Sequence, residues 1–163
     1  MVVKENFFSS IPRKYSFSRA LAVFWTCVGK SALKPEEKPK QNEEDLRLIL
    51  DSTAEGIYVI DLEGKCTMCN ASCLSMLGYS HERQLLGKNM HDIIHNKYPD
   101  GTHYPEEKCR IFQAFKKGQG THVEDEVFWR ADGTCFLVEY FSYPQYRNGR
   151  VIGAVVTFSD ITE

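Results

Sequence analysis

The sequence predicts an α+β fold in which short helices separate a first pair of strands from a final run of three. Two hairpin signals, Asp132–Gly133 and Asn148–Gly149, divide the last third of the chain into these three strands. Such dipeptides favour type I′ turns, because both central residues of that turn need positive φ. The last strand, residues 150–160, is apolar on both faces. A strand of this kind is covered on both faces, so we expect it at the centre of the sheet.

An amphipathic helix precedes the sheet, over about residues 43–52. Asn42 is its predicted N-cap, and three acidic residues follow in the first turn, where negative charge favours the helix dipole. Leu46, Ile49 and Leu50 recur at helical spacing and form its apolar side. We expect either this side or a second subunit to cover the outer face of the sheet.

Two strands and several short helices come next. Residues 56–61 and 65–69 are predicted to pair around a turn. Asn70 is expected to cap a helix that Gly78 ends, because glycine adopts the left-handed conformation at little cost. Further along we expect a short helix after Ser80, two turn-like segments around residues 89–95 and a longer helix over about residues 105–117.

Charge divides the chain into two parts. Residues 1–42 contain 8 Lys/Arg against 3 Asp/Glu, a charge of +5, whereas residues 43–163 contain 12 against 19, a charge of −7. We expect a basic, poorly ordered leader that ends in the Pro/Lys/Glu linker of residues 34–40, followed by one acidic domain. The domain shows no basic stripe with interleaved aromatic residues, which argues against direct nucleic-acid binding.

Localisation and redox state follow from the apolar runs and the cysteines. The longest apolar run, residues 20–28, is too short for a membrane span, which needs about 20 residues. The 6 cysteines are too few for a disulfide scaffold in a chain of 163 residues. We therefore expect a reduced, cytoplasmic protein with free thiols.

Three cysteines lie close together in the sequence, at Cys66, Cys69 and Cys73. This spacing is similar to that of a thiolate cluster for a metal, but side chains on a strand alternate between its two faces. We therefore expect Cys66 and Cys69 on opposite faces, where they cannot share an ion, and we assign no metal site. Free cysteines usually serve as small apolar residues that fill the core. Redox or metal sensing through these thiols or Cys109 is the alternative.

A set of short features follows this order of elements: Asn70 at a strand-to-helix step, Gly78–Tyr79, Gly87, Asp132–Gly133 and the closing Asp160-Ile161-Thr162. Together, over residues 43–163, they resemble the PAS domain family in its bacterial sensor form. The resemblance implies a five-stranded antiparallel sheet in the order 2-1-5-4-3, with short helices on one face and a pocket between the two layers. It also implies sensing and dimerisation, with a signal leaving through the Asp-x-Thr motif.

The function that the resemblance implies is a non-catalytic sensor domain for a small ligand or for redox state, acting in a two-component phosphorelay or in the regulation of transcription. The expected partners are an output histidine kinase or diguanylate cyclase module or another PAS chain, as in a homodimer. A ligand-free dimerisation module is the alternative. No phosphate loop or other catalytic motif is present, so we assign no catalytic residue.

Candidate residues for these roles fall into three groups. The pocket candidates are Cys69, Cys109, His91, Phe112 and Trp129. The signal-exit candidates are Asp160 and Thr162, and the helix expected to meet a dimer partner carries Leu46, Ile49 and Leu50.

No cofactor is the first expectation, with flavin and haem as alternatives. Residues 108–113, KCRIFQ, resemble the NCRFLQ motif of the light-sensing LOV branch of the family, but at a different position. Where that branch has its adduct-forming cysteine, this chain has Met90. Methionine has no thiolate to attack a flavin, so we reject adduct photochemistry and leave open only non-covalent flavin binding.

Haem would need an unusual ligand in this chain. Family members that bind haem often use a histidine on the helix that here spans about residues 105–117, and this segment has none. Cys109 or His103 would have to serve instead. His91 and His95 lie four residues apart, a spacing that suits a metal, but we expect them as polar capping or surface residues.

Overall fold

The structure, a computed structural model, describes residues 37–162. The helices are α1 (Glu37–Asp51), α2 (Ala71–Leu77), α3 (Met90–Ile94) and α4 (Arg110–Lys116), with single-turn 3-10 helices at Glu82–Gln84 and Glu106–Lys108. The strands are β1 (Gly56–Ile60), β2 (Cys66–Cys69), β3 (Thr121–Trp129), β4 (Cys135–Arg147) and β5 (Arg150–Asp160).

All five strands form one antiparallel sheet in the order β2-β1-β5-β4-β3, which confirms the predicted fold and the central position of β5. The turn between β4 and β5 has positive φ at Asn148 (51°) and Gly149 (75°), as a type I′ turn requires. The loop between β3 and β4 differs, because only Gly133 in it has positive φ. The type I′ prediction is therefore wrong for Asp132–Gly133.

The two faces of the sheet are covered unequally. Ala154, Val156 and Phe158 of β5 are buried under the short helices, whereas Val155 and Thr157 on the opposite face are only half-buried. Helix α1 does not bury its apolar side, since Leu46 and Ile49 are 54% and 65% exposed. Leu50 is half-buried. Of the two predicted covers for the outer face, a second subunit therefore stays a prediction.

Helix α1 begins earlier than the sequence indicated. Its first residue is Glu37, inside the stretch expected to be a linker, rather than the residue after Asn42. The basic leader and the apolar run of residues 20–28 lie outside the described residues. Within residues 37–162, no helix combines the length and the apolar character needed to cross a bilayer.

Two of the short helical segments also differ from expectation. Residues 90–94 form helix α3 rather than turns, because the Asn89 side chain accepts a hydrogen bond from the His91 N–H and caps it. The single helix expected over residues 105–117 is divided at Cys109, whose ψ of 118° is not helical.

The ladder between β1 and β2 contains a bulge. Tyr58 pairs with Cys69 and Ile60 pairs with Cys66, so β2 has one more residue between these pairs than β1. Tyr58 and Ile60 both face the core, and paired residues share a face. Cys66 and Cys69 therefore point to the same side, each 1% exposed. The prediction that they lie on opposite faces is wrong.

Candidate functional site

Two histidines and a cysteine meet between α3 and the sheet. Helix α3 and its C-cap carry His91 and His95, one helical turn apart, and the break before α4 places Cys109 beside them. One ring nitrogen of each histidine and the Cys109 sulfur lie within 4.8 Å of one another, and all three side chains are buried. We call these residues the His–Cys cluster. The expectation of surface histidines is wrong, because both are buried, whereas His95 does stand at the C-cap of α3.

The hydrogen bond of His91 fixes the roles of its two nitrogens. Its Nε2 lies 2.9 Å from the carbonyl oxygen of Tyr104. A carbonyl only accepts, so Nε2 carries the hydrogen and donates it. In the neutral ring, Nδ1 then has a free lone pair. This Nδ1 is buried and has no hydrogen-bond partner among the described residues.

His95 connects the sulfur to a carboxylate. Its Nδ1 lies 3.4 Å from the Cys109 sulfur, and its Nε2 lies 2.9 Å from Oε2 of Glu126. The aromatic ring of Phe128 packs against the imidazole, with 5.2 Å between ring centroids. His95 is therefore held in one orientation by polar contacts at both nitrogens and by packing on one side.

Glu126 reaches this position because β3 is bulged. Val123 pairs with Tyr140 and Glu126 pairs with Val138, so β3 has one more residue than β4 between the two pairs. The extra residue turns Glu126 inward, where its side chain is 13% exposed. Glu126 was not among the predicted site residues, because the acidic run of residues 124–126 to which it belongs is typical of a solvated segment. The first two residues of this run are exposed.

Three further groups hold the Glu126 carboxylate. The Tyr140 hydroxyl donates to Oε2 at 2.7 Å, and the Tyr104 hydroxyl lies 3.2 Å from Oε1. The Nε of Arg110 lies 3.3 Å from the same Oε1. The carboxylate is therefore well satisfied as an anion, and neither tyrosine stood out in the sequence.

The electrostatics of the cluster favour its charged forms. Burial opposes the charge on His95, but the hydrogen bonds with Cys109 and Glu126 outweigh it and raise its pKa to about 9. Burial likewise opposes ionisation of Cys109, but the His91 and His95 imidazoles lower its pKa to about 6. The pKa of Glu126 is lowered in spite of burial, chiefly by His95. The arrangement favours an imidazolium between a thiolate and a carboxylate.

Two cavities adjoin the cluster. A small one of about 10 Å³ lies between the sheet and the helices, with His91, His95, Cys109, Met90 and Phe112 in its wall. A cavity of this size holds about one water molecule. A larger one of about 300 Å³ opens at the surface, and His95 and Glu126 lie in its wall. His95 therefore separates a buried space from an open one.

The other cysteines form a separate group, the thiol cluster of Cys66, Cys69 and Cys73. The neighbouring thiols of Cys66 and Cys73 lower the pKa of Cys69, and the Cys66 thiol itself donates to the Met68 carbonyl at 3.4 Å. The interaction with Cys69, together with burial, raises the pKa of Cys66 and of Cys73. Among the described residues, the sets of three potential metal ligands within 4.8 Å are the His–Cys cluster and the exposed His122, Glu124 and Glu139.

The structure brings together only some of the predicted pocket residues. Cys109, His91 and Phe112 line the small cavity together, as a pocket requires. Cys69 belongs to the thiol cluster instead. Trp129 lies apart from both, because its Nε1 donates to the carbonyl oxygen of Lys97 at 3.1 Å.

The predicted signal exit is tied to the rest of the domain. Asp160 Oδ2 lies 2.6 Å from Arg130 Nη2, and its Oδ1 accepts from the Thr162 N–H at 2.9 Å. The Thr162 hydroxyl accepts from the Leu137 N–H at 3.1 Å, and Arg130 Nε donates to the Met76 carbonyl at 2.9 Å. Asp160 and Thr162 therefore join the ends of β3, β4, β5 and α2.

Comparisons with known proteins agree with this architecture. A PAS domain from Colwellia psychrerythraea matches with 21% identity and a TM-score of 0.60, over 74% of this chain and 97% of that one. The PAS domain of an HTR-like protein from Haloarcula marismortui matches with 18% identity and a TM-score of 0.61, over 77% and 97%. A Rhodobacter sphaeroides LOV protein matches with 21% identity and a TM-score of 0.58, over 75% and 68%.

At these identities the solved structures show a shared fold. None of the curated proteins compared with the chain matches it. A family model described as "PAS domain" matches residues 54–163, which is more than half of the chain. The chain therefore belongs to the PAS domain family.

Proposed function

We propose that this chain is the sensor domain of a signal-transduction protein, and that it responds to a small ligand or to redox state at the His–Cys cluster. The observation that carries the proposal is that four ionisable side chains meet beside the apolar core: the buried His91, His95 and Cys109 and the largely buried Glu126. Burying such groups costs free energy, and clusters of this kind concentrate at functional sites. Solved PAS domains of a nitrogen regulation protein and a two-component sensor histidine kinase share the fold.

Strand β3 offers a physical route from the cluster to the exit. Glu126, which binds His95, lies in β3, and Arg130, which binds Asp160, directly follows its last residue, so residues 126–130 form one continuous segment. A ligand that changes the His95–Glu126 contact would shift this segment and with it the Asp160 ion pair. The shift is limited by the difference in ligand affinity between the two states. An output kinase or cyclase module, or another PAS chain, would receive the change beyond Thr162.

The cavity between the layers bears on flavin and haem. The neighbours include LOV proteins and a structure with a flavin analogue. In this chain the small cavity beside Met90 measures about 10 Å³, whereas pockets for organic ligands usually measure about 300–1,000 Å³. Neither cofactor fits there without repacking. We therefore propose that the domain carries neither, and expect purified protein without a Soret band or flavin absorption.

Replacing Asp160 tests the relay. Native mass spectrometry of the purified chain identifies the bound molecule, and hydrogen exchange follows the exit with and without it. In Asp160→Ala, we expect unchanged ligand binding and a lost response of residues 158–162. Asp132→Ala is the control, because Asp132 is exposed and bonds only within its own turn. Equal loss of binding and response in Asp160→Ala would contradict the proposal.

A ligand-free dimerisation module is the second candidate. The observation that favours it is the exposed apolar side of α1, with Leu46, Leu48 and Ile49, together with the half-buried outer face of β5. Exposed apolar patches of this kind mark interaction surfaces. A homodimer that carries no small molecule in native mass spectrometry would support this candidate over the first.

A further inference from the structure

We propose that the His–Cys cluster is a binding site for one zinc ion, with Nδ1 of His91, Nδ1 of His95 and Sγ of Cys109 as its ligands. The donor set is the first argument. Imidazole nitrogen and thiolate sulfur are the ligands that zinc takes in proteins, usually four in a tetrahedron. Three protein ligands leave one position for water or for an exchanging molecule. The proposal deepens the proposed function by naming its ligand, and only the sensing role of the ion rests on that function.

The distances suit a tetrahedral ion. With Zn–S near 2.3 Å and Zn–N near 2.0–2.1 Å, sulfur and nitrogen ligands lie about 3.6 Å apart. The observed separation between Cys109 Sγ and His95 Nδ1 is 3.4 Å, and all three ligand atoms lie within 4.8 Å of one another. Side-chain movements of roughly 1 Å would close the difference between the 4.8 Å limit and the tetrahedral separation for the third ligand atom.

The unpaired nitrogen of His91 is the second argument. Its Nε2–H is held by the Tyr104 carbonyl, which leaves Nδ1 as the free nitrogen of a ring that belongs to the cluster, and Nδ1 is buried without a partner among the described residues. A buried acceptor of this kind costs free energy unless something binds it. An ion between His91, His95 and Cys109 satisfies Nδ1 and explains why the ring is held in this orientation.

The groups behind the ligands form the pattern that metal sites need. Histidine ligands usually give their other ring N–H to a carboxylate or a carbonyl, which fixes the ring and makes it a better donor. Here His95 meets the Glu126 carboxylate, and His91 meets the Tyr104 carbonyl. Both rings therefore present Nδ1 to the ion.

Charge and protons balance on binding. The two negative charges of the Cys109 thiolate and the Glu126 carboxylate neutralise a divalent ion in the buried site. Before binding, the sulfur of Cys109 and Nδ1 of His95 share one proton across 3.4 Å. The ion takes the place of that proton, so one proton leaves for each zinc bound.

Access comes from the open side of His95. The surface cavity of about 300 Å³ has His95, Asp125 and Glu126 in its wall together with the basic residues Lys97, Lys108 and Arg110. Arg110 pairs with both carboxylates, so the cavity supplies a path to His95 and no net attraction for a cation. The small cavity of about 10 Å³ on the other side accommodates a single ion or a water molecule. A cation therefore needs only a movement of the His95 ring to reach all three ligands.

Cobalt titration of the full chain tests the proposal, because a thiolate bound to Co²⁺ produces a charge-transfer band. We expect chelator-treated protein to bind one Co²⁺ per chain with this band, and Zn²⁺ to displace it with release of one proton. Cys109→Ser should lose the band, and His91→Gln should show it only at Co²⁺ concentrations more than about 100-fold higher, because the thiolate stays but one ligand is lost. Glu126→Gln should weaken binding about 10- to 100-fold.

Matched controls separate this site from other binding. His122→Gln removes the exposed set of His122, Glu124 and Glu139, and Cys69→Ser alters the thiol cluster; both should bind Co²⁺ like the wild type. Zinc should raise the melting temperature of the wild type and of both controls, but not of the ligand variants. If Cys109→Ser does not fold in the presence of chelator, the cobalt affinity of His91→Gln tests the site instead.

The proposal is overturned if no charge-transfer band appears, if the band survives Cys109→Ser, or if His122→Gln abolishes binding. A water molecule at His91 Nδ1 would then be the better account. Failure of the proposed function looks different: zinc binds with one equivalent, but hydrogen exchange at residues 158–162 does not change. If another small molecule binds and changes hydrogen exchange at residues 158–162 while zinc does not bind, the sensor function is supported and the zinc site is contradicted.

Discussion

The thiol cluster and the His–Cys cluster are both buried between the sheet and the helices, yet their surroundings differ. Cys66, Cys69 and Cys73 lie among apolar side chains of the core, and the other two thiols act on Cys69. Cys109 contacts two imidazoles, one of which reaches a carboxylate beside an open cavity. The cysteines that are close in sequence therefore form a structural group, and the isolated one belongs to the candidate site.

The difference lies in which neighbours each cysteine has for ligand chemistry. Close spacing along β2 and α2 supplies sulfur atoms only, with no nitrogen or carboxylate to complete a site. The His–Cys cluster draws on α3, the segment before α4 and the bulge of β3, which are far apart in the chain. A set of potential ligands therefore depends on which helices and strands meet in the fold, and close spacing of cysteines in the sequence does not identify it.

Asn70→Ala should have the largest effect on stability, because Asn70 supports the region around the thiol cluster. Its buried side chain accepts from the N–H groups of Ile57 and Cys73 and donates to the Leu50 and Glu55 carbonyls. We expect a loss of about 3–4 kcal/mol in the free energy of unfolding, measured with denaturant, since buried groups lose their partners.

Asn89→Ala is the matched control on the side of the His–Cys cluster. Asn89 is a more exposed N-cap that accepts from the His91 N–H, so its removal should cost about 1 kcal/mol. A larger loss for Asn89→Ala than for Asn70→Ala would show that the two regions have been assigned the wrong roles.

Glu126→Ala should destabilise the metal-free protein by about 2–3 kcal/mol, because His95 and Tyr140 lose the carboxylate that binds them. The estimate lies below that for a fully buried pair, since the Glu126 side chain is 13% exposed. Asp125→Ala is the control and should change stability by less than about 0.5 kcal/mol, because its ion pair with Arg110 is exposed. If urea unfolding shows similar losses of stability in Glu126→Ala and Asp125→Ala, Glu126 does not have the inward role described.

Cys73→Ala should cost about 1–2 kcal/mol through the small cavity that it leaves in the core. It should leave the Co²⁺ charge-transfer spectrum unchanged, whereas Cys109→Ala should remove it. Unfolding curves and absorption spectra should be measured on the same preparations of Cys73→Ala and Cys109→Ala. Loss of the band in Cys73→Ala would mean that the clusters are not separate.

Among the variants other than the controls, Trp129→Phe should have the smallest effect, about 0.5–1 kcal/mol, because the hydrogen bond to the Lys97 carbonyl is lost and the contact of the Lys97 ammonium with the ring is weakened. Cobalt affinity should not change, since Trp129 lies apart from the cluster. A tenfold change in affinity, measured by titration, would return Trp129 to the pocket where the sequence analysis placed it.

Local patterns predicted much of the fold. Asn148–Gly149 forms its type I′ turn, Asn70 and Gly78 bound α2, and the two-sided apolar character of β5 indicated a central strand. These features depend on a few neighbouring residues, so the sequence contains the information directly. The strand order followed from the resemblance to the family.

The candidate site was less accessible from the sequence because bulges decide it. The bulge in β2 turns Cys66 and Cys69 to the same face, and the bulge in β3 turns Glu126 inward. A bulge inserts one residue and reverses the alternation on which sequence reasoning relies. The spacing of His91 and His95 was visible, but their burial depends on packing against β3 and Tyr104.

Hydrogen exchange with and without Zn²⁺ tests the central claim most directly, that the His–Cys cluster binds a ligand and is coupled to the exit. We predict slower exchange on zinc addition around residues 89–96 and 126–130 and a change at residues 158–162, the last absent in Asp160→Ala. Cys109→Ser should show none of these changes, and Cys69→Ser should show all of them. An unchanged exit in the zinc-bound wild type, or the same response in Cys109→Ser, would contradict the account.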